Sequence, residues 1–285
     1  MTVRPFTQVD VFATRRFTGN PLAVVHDAEG LDDRTLAEIA RWTNLSETTF
    51  LLRPTAPGAD YRVRIWTTGG ELPFAGHPTI GSAHAWLEAG GRPAAEDAVV
   101  QECGVGLVTV RRDDRLAFAA PPLLRGGAVA ADLLARIVRA LRVGPGDVVD
   151  AAWCDNGPGW VGLLLRSAEA VLAVDPDVPA FEGLKVGVVG PYTTQRPHPD
   201  GCAVEVRAFY ADGRDFSEDP VTGSLNASLA QWLIGNGTLP AAYVASQGTA
   251  LHRRGRVHIA TDGDTVWVGG DAVTCLRGDV TDPAA

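Results

Sequence analysis

Two stretches that begin 142 residues apart repeat one another, and both place proton-carrying side chains next to a glycine-bearing turn. The first reads Gly76-His77-Pro78-Thr79-Ile80-Gly81-Ser82-Ala83-His84-Ala85-Trp86-Leu87. The second reads Glu218-Asp219-Pro220-Val221-Thr222-Gly223-Ser224-Leu225-Asn226-Ala227-Ser228-Leu229. Five of the twelve positions are identical. Matching positions carry His77 in one copy and Asp219 in the other, a pairing suited to moving protons at a common centre. Proline after each residue fits the first turn of a helix, where its missing N–H costs nothing. The bland role of Asp219 is helix N-cap, and that role alone would account for it. Histidine is a poor N-cap, so His77 calls for a functional reason.

A third proton carrier, Glu47, stands in Ser46-Glu47-Thr48-Thr49 between a helical and a β-branched segment. A glutamate solvated at a strand entrance is the plain alternative. Buried there, its carboxyl would be pushed upward, toward the range of a general acid–base near neutral pH. Gly76, Gly81 and Gly223 let the backbone approach a ligand, and the bare N–H groups of a helix start attract an anion. Two such starts would hold a carboxylate and stabilise the charge that develops when a neighbouring carbon loses a proton. Each glycine can also be no more than a turn residue.

The elements that must position these groups follow from the pattern. Val63-Arg64-Ile65-Trp66 answers Val206-Arg207-Ala208-Phe209 upstream of the two repeats, so each copy is a strand, a loop and a helix. Helices are predicted over 32–43, about 78–88 and about 131–141, with Leu36, Ile39 and Ala40 sharing one face of the first. Strand pairs are expected at 105–110 with 115–119 and at 255–260 with 265–268. The Pro/Gly-rich run Pro121-Pro122-Leu123-Leu124-Arg125-Gly126-Gly127 separates an N-terminal lobe, 1–125, from a C-terminal lobe, 126–285, whose last residues return to the first. The fold class is α+β, with two similar lobes.

With 285 residues, 46% of them apolar, the chain has the composition of an ordinary globular protein of two lobes. A net charge of −9 with no basic cluster argues against nucleic acid as a partner. No segment approaches the roughly 20 apolar residues of a membrane span, and Met1-Thr2-Val3-Arg4-Pro5-Phe6 lacks a signal-peptide core. Cys103, Cys154, Cys202 and Cys275 are scattered and form no metal or disulfide pattern. A reduced, cytoplasmic protein is the resulting expectation. The motifs for phosphate loops, dinucleotide binding, zinc hydrolysis and serine esterases are missing.

Four blocks together resemble the phenazine-biosynthesis isomerase (PhzF-like) family. They are Phe17-Thr18-Gly19-Asn20-Pro21, Asn44-Leu45-Ser46-Glu47-Thr48-Thr49-Phe50, Glu71-Leu72-Pro73-Phe74-Ala75-Gly76-His77-Pro78-Thr79 and Glu218-Asp219-Pro220-Val221-Thr222-Gly223-Ser224. Gln247-Gly248 and Arg253-Arg254-Gly255 extend the likeness, which covers about residues 6–278. The resemblance implies the diaminopimelate-epimerase-like fold: two pseudo-symmetric lobes, each a curved, mostly antiparallel sheet around a central helix, with the site between them. It implies an isomerase in which Glu47 shuttles a proton between carbons of trans-2,3-dihydro-3-hydroxyanthranilate, helped by His77 and Asp219. Asn20, Ser46 and the backbone near Gly76, Gly223 and Ser224 would bind a small, cyclic carboxylic acid. No metal or organic cofactor is implied, and a homodimer is usual. The epimerases of this fold use two thiols, and no cysteine here lies near either loop. An epimerase with non-thiol bases and a non-catalytic metabolite binder are the competing readings.

Overall fold

The computed structural model describes residues 2–212 and 215–282 of the chain. Contacts divide it into two units: one runs to Ala119 and resumes at Gly269, the other is Ala120–Val268. In the first unit the alternating and β-branched runs become β1 (Val3–Val11), β2 (Asn20–Val25), β3 (Thr48–Leu52), β4 (Tyr61–Thr67), β5 (Gly70–Leu72), β6 (Ala98–Cys103), β7 (Gly106–Arg112) and β8 (Leu116–Ala119). Its helices are α1 (Asp33–Thr43) and α2 (Gly76–Glu88). The second unit holds β9 (Arg125–Ala128), α3 (Ala131–Leu141), β10 (Val148–Asp155), β11 (Val161–Leu165), α4 (Ala168–Leu172), β12 (Lys185–Pro191), β13 (Val204–Asp212) and β14 (Asp215–Asp219). It continues through α5 (Gly223–Gly235), β15 (Ala242–Gln247), β16 (Gly255–Asp262) and β17 (Thr265–Gly270). A last strand, β18 (Ala272–Thr281), returns to the first unit and pairs antiparallel with β1.

The internal repeat holds strand by strand. In the first unit β2–β3 is parallel, β3–β4 and β4–β5 antiparallel, β4–β6 parallel and β6–β7 antiparallel. In the second, β11–β12, β12–β13, β13–β14, β13–β15 and β15–β16 follow the same series of directions. The α+β class with two similar halves is therefore what forms.

Helices α2 and α5 sit at the centres of these sheets because neither has a polar face. Residues Gly76–Ala83 and Ala85 of α2 are buried, as are Leu225–Ala230 and Leu233 of α5. A helix apolar all round has to be enclosed, and α2 meets β1, β2, β3, β6, β7, β8 and β18. Close approach needs small residues at the contact. A Cβ on Gly81 would lie 2.5 Å from Leu22 Cδ2, and one on Gly187 would lie 2.4 Å from Leu225 Cδ1. The outer faces are covered by amphipathic helices. Leu36 and Ala40 of α1 pack with Val25, Phe50 and Trp66, while Ile137, Ala140 and Leu141 of α3 and Val171 of α4 pack with Leu163, Val186, Val188 and Phe209. Strands buried on both faces read as unbroken apolar runs, as Val161-Gly162-Leu163-Leu164-Leu165 does.

The first helix matches its reading closely: Asp32 is the N-cap and its carboxylate accepts from Thr35 N–H at 2.9 Å. Two expectations need correction. The second helix starts at Gly76, so His77 lies within its first turn and not before it. Asp219 is not a helix N-cap; it ends β14, and α5 begins only at Gly223 with Thr222 as cap residue. The cause is a side chain from another strand, Gln247, which occupies the polar backbone groups of this segment (below).

Gly19 illustrates how tightly the loop before β2 is seated. A Cβ there would be 2.2 Å from the carbonyl oxygen of Val11 and 2.9 Å from Ala13 Cβ. Backbone cannot yield as a side-chain tip can, so Gly19→Ala is expected to destabilise the protein by about 1–3 kcal/mol. The urea midpoint at constant slope checks this, with Gly278→Ser, exposed on β18 and with open space around it, as the surface control.

Candidate active site

Three elements of the first unit bring Asn20, Glu47 and His77 together. Asn20 opens β2, at the end of a loop anchored by Asp10. The buried Asp10 carboxylate accepts from Thr18 N–H at 2.6 Å and Gly19 N–H at 2.8 Å. Glu47 stands one residue before β3. There α1 ends on Asn44 in the left-handed conformation (φ 54°), and Thr43 Oγ1 lies 2.7 Å from Thr48 Oγ1, closing the turn. His77 is delivered by the first turn of α2, which has no side-chain cap on Ala75. His77 Nδ1 lies 3.5 Å from Glu47 Oε2 and 3.5 Å from Asn20 Nδ2. Ser46, the residue before Glu47, is half-buried.

Burial decides the protonation of this cluster. The His77 side chain is 5% exposed and Glu47 16%. Desolvation pushes the imidazole down to about 3, against an ordinary value near 6.5. An ionised Glu47 would oppose that shift, but the ring is sealed from water and its Nε2 has no hydrogen-bond partner among the described residues. The ring is therefore neutral, and burial wins over the neighbouring carboxylate. Nδ1 faces an amide donor and a carboxylate acceptor at equal distance. A proton on Nδ1 points to Glu47, and a proton on Nε2 leaves Nδ1 to accept from Asn20. Two such tautomers make the ring a route for a proton next to a carboxylate.

The second unit organises Asp219 differently. Its Oδ2 accepts the Thr222 hydroxyl proton at 2.6 Å. Gln247, the last residue of β15 and 1% exposed, donates from Nε2 to Asp219 O at 3.1 Å and to Thr222 Oγ1 at 2.9 Å. Its Oε1 accepts from Thr222 N–H at 3.0 Å and from Asn226 Nδ2 at 2.8 Å. Gly223 and Ser224 form the first turn of α5, with the Ser224 hydroxyl taken by Trp160 Nε1–H at 3.1 Å and its carbonyl by Asn156 Nδ2 at 2.9 Å. Both central helices thus start without a side-chain cap, leaving N–H groups of their first turns for another acceptor.

These groups are of the kind that acid–base chemistry uses. Neither contains a thiol, and burial pushes Cys154 up to about 12 and Cys202 to about 11, away from reactive thiolate. Among the described residues no His/Cys/Asp/Glu group is arranged to hold a metal ion, and no helix is long and apolar enough to cross a membrane. A cavity of about 590 Å³ in the first unit opens at the other end of α2, against Trp86 and Glu88, and holds none of the site residues. Sequence reasoning gave no role to Asp10, Thr222, Asn226 or Gln247, although Thr222 and Gln247 stand in the blocks that carry the resemblance. An acid within the apolar run Val9-Asp10-Val11 and an amide closing a buried strand are the signals that point to two of them.

The His77 reading has a direct consequence. The unfolded ring takes up a proton near pH 6.5 and the native ring only near pH 3. The unfolded state therefore binds more protons between those values, and stability present at pH 7 is lost as pH falls. Urea unfolding of the wild type should show up to about 2–3 kcal/mol lost from this group between pH 7 and 4.5. His77→Asn should show a correspondingly smaller loss. Ring signals of His77 that titrate near pH 6.5 in the native protein would contradict the assignment.

Comparison with known proteins identifies the family and the fold. The family model for phenazine biosynthesis-like proteins matches residues 9–278. The chain is 34% identical to antisense-enhancing sequence 1 of Schizosaccharomyces pombe over 304 aligned positions, covering 98% of this chain and 99% of that one. It is 31% identical over 271 positions to trans-2,3-dihydro-3-hydroxyanthranilate isomerase of Pseudomonas aeruginosa, covering 90% of each. A crystal structure of a PhzF-family phenazine biosynthesis protein from Enterococcus faecalis superposes with a TM-score of 0.78 at 24% identity, over 98% of this chain and 100% of that one. With the repeat, the fold and a match along nearly its whole length, the chain belongs to the phenazine biosynthesis-like (PhzC/PhzF) family.

Proposed function

We propose that this protein is an isomerase that moves a proton between carbons, and with it a double bond, in a small cyclic carboxylic acid similar to trans-2,3-dihydro-3-hydroxyanthranilate. The observation that carries the reading is the Glu47 carboxylate 3.5 Å from a buried, neutral imidazole. Glu47 takes a proton from an allylic carbon, the electron pair delocalises toward the substrate carboxylate, and the proton returns to the far end of the system. No net proton or electron is exchanged. His77 relays a proton without a competing positive charge, and Asp219 orients the substrate and assists. In the first unit Asn20, Ser46 and the uncapped start of α2 near Gly76 offer donors for a carboxylate, and in the second the uncapped start of α5 near Gly223 and Ser224 offers donors of the same kind. Relatives bearing the name of that isomerase support the reaction class. The low polarity around His77 also favours keeping water from the reacting carbon.

A time course in D₂O, followed by proton NMR with trans-2,3-dihydro-3-hydroxyanthranilate, tests the proposal on wild type and Glu47→Gln. The wild type should migrate the double bond and incorporate deuterium. Glu47→Gln should lose at least about a hundredfold in rate, while its thermal midpoint stays nearly unchanged. Wild-type turnover by the variant would remove Glu47 from the chemistry. Deuterium entering a carbon that inverts, with the double bond fixed, would identify an epimerase instead.

A further inference from the structure

We infer that Gln247 and Thr222 are positioning residues that fix the Asp219 carboxylate as a hydrogen-bond acceptor. The inference rests on the reading above, in which Asp219 assists the proton shift. Its physical basis is a hydrogen-bond chain that can run in only one direction. Thr222 N–H is a donor with no other option, so the Gln247 atom 3.0 Å away must be the carbonyl oxygen. Asn226 Nδ2 donates to the same oxygen at 2.8 Å and to Thr222 O at 2.9 Å, which agrees. The Gln247 amide nitrogen must then face Asp219 O and Thr222 Oγ1. Since the Thr222 hydroxyl receives a proton from Gln247, its own proton goes to Asp219 Oδ2, 2.6 Å away. All four hydrogen-bonding capacities of Gln247 are used, and it is fully buried. The carboxylate then has a hydrogen-bond donor of fixed direction at Oδ2, which defines its orientation.

The other half of the molecule shows that the fold itself does not demand these residues. By sequence alignment Thr222 corresponds to Ile80, and by strand register Gln247 corresponds to Cys103. Each closes its strand opposite a glycine, Gly255 and Gly106. With Ile80 and Cys103 there, the equivalent segment Gly76–Ile80 is already helix, and Thr79 N–H bonds to Ala75 O at 3.1 Å. Gln247 instead captures the carbonyl of Asp219 and the N–H of Thr222, so α5 starts late and Asp219 stays at the end of a strand. The polar cluster thus tracks the presence of Asp219 and not the needs of the repeat.

Crystal structures and steady-state kinetics of Thr222→Val, Thr222→Ser and Gln247→Glu test this. Valine matches threonine in shape and removes only the hydroxyl. In Thr222→Val the Asp219 carboxylate is expected to leave its native conformation or split between two, and kcat to fall about ten- to a hundredfold. KM should change by less than about threefold. Thr222→Ser should restore both conformation and rate. Gln247→Glu should resemble Thr222→Val, because a carboxylate there accepts the Thr222 proton that Asp219 now receives. If that variant does not fold, the two Thr222 variants decide alone. A native Asp219 conformation in Thr222→Val overturns the inference, as does wild-type kcat in that variant when Asp219→Asn is impaired. If the wild type turns over no dihydroaromatic acid, the isomerase reading fails by itself, and the crystallographic comparison still decides on Gln247 and Thr222.

Discussion

Everything in this architecture depends on enclosing two helices that have no polar face. Each of Ile80, Leu225, Leu229 and Leu233 is at most 1% exposed, and each such burial contributes roughly 1.5–3 kcal/mol. A helix of that kind is stable in water only inside a wrapped sheet. The strands then need apolar residues toward the helix and, where α1, α3 and α4 cover them, on the other face as well. Gly81 and Gly187 permit the close approach on which the wrapping depends.

A second device ties the chemistry to that scaffold in both halves. Arg64 of β4 grips Glu71 of β5 through two bonds of 2.6 Å, and Arg207 of β13 grips Glu218 of β14 through bonds of 2.9 and 2.8 Å. Each guanidinium also lies over a ring two residues on, Trp66 at 5.5 Å and Phe209 at 4.7 Å. The second pair is nearly sealed from water, so either partner alone would be an uncompensated buried charge. Such a fork fixes the register of a short strand as much as it stabilises it. The residue after Glu218 is Asp219, and the strand pinned through Glu71 leads to His77.

From this shared base the two halves diverge at the point where chemistry is placed. One runs directly into helix and buries a neutral histidine beside a glutamate. The other is held out of helix by Gln247 and presents a carboxylate with a fixed hydrogen-bond donor. Burial without charge compensation suits the first group, because a neutral imidazole can pass a proton in either direction. A fully satisfied amide suits the second, because any unmet partner at that depth would be costly. One duplicated backbone thereby carries two titratable groups in different surroundings.

Much of this was legible in the chain itself. The repeat at Pro78 and Pro220, the strand echo at Arg64 and Arg207 and the apolar helices report local pattern, which composition and spacing carry directly. His77 and Asp219 stood out as titratable groups beside glycine-bearing turns, and Glu47 as one at a helix-to-strand junction, all visible in one dimension. The contacts that define their states were not. That Asn20 and Glu47 share one nitrogen of His77 depends on the packing of β2, β3 and α2, segments up to 57 residues apart. Asp219 looked like an N-cap because its local sequence suits one, and only Gln247, from 28 residues away, withdraws it from that role. Helix propensity and caps act over a few residues and can be read in sequence. Desolvation and hydrogen-bond direction depend on which distant side chains fill the remaining space, and tertiary structure alone decides that.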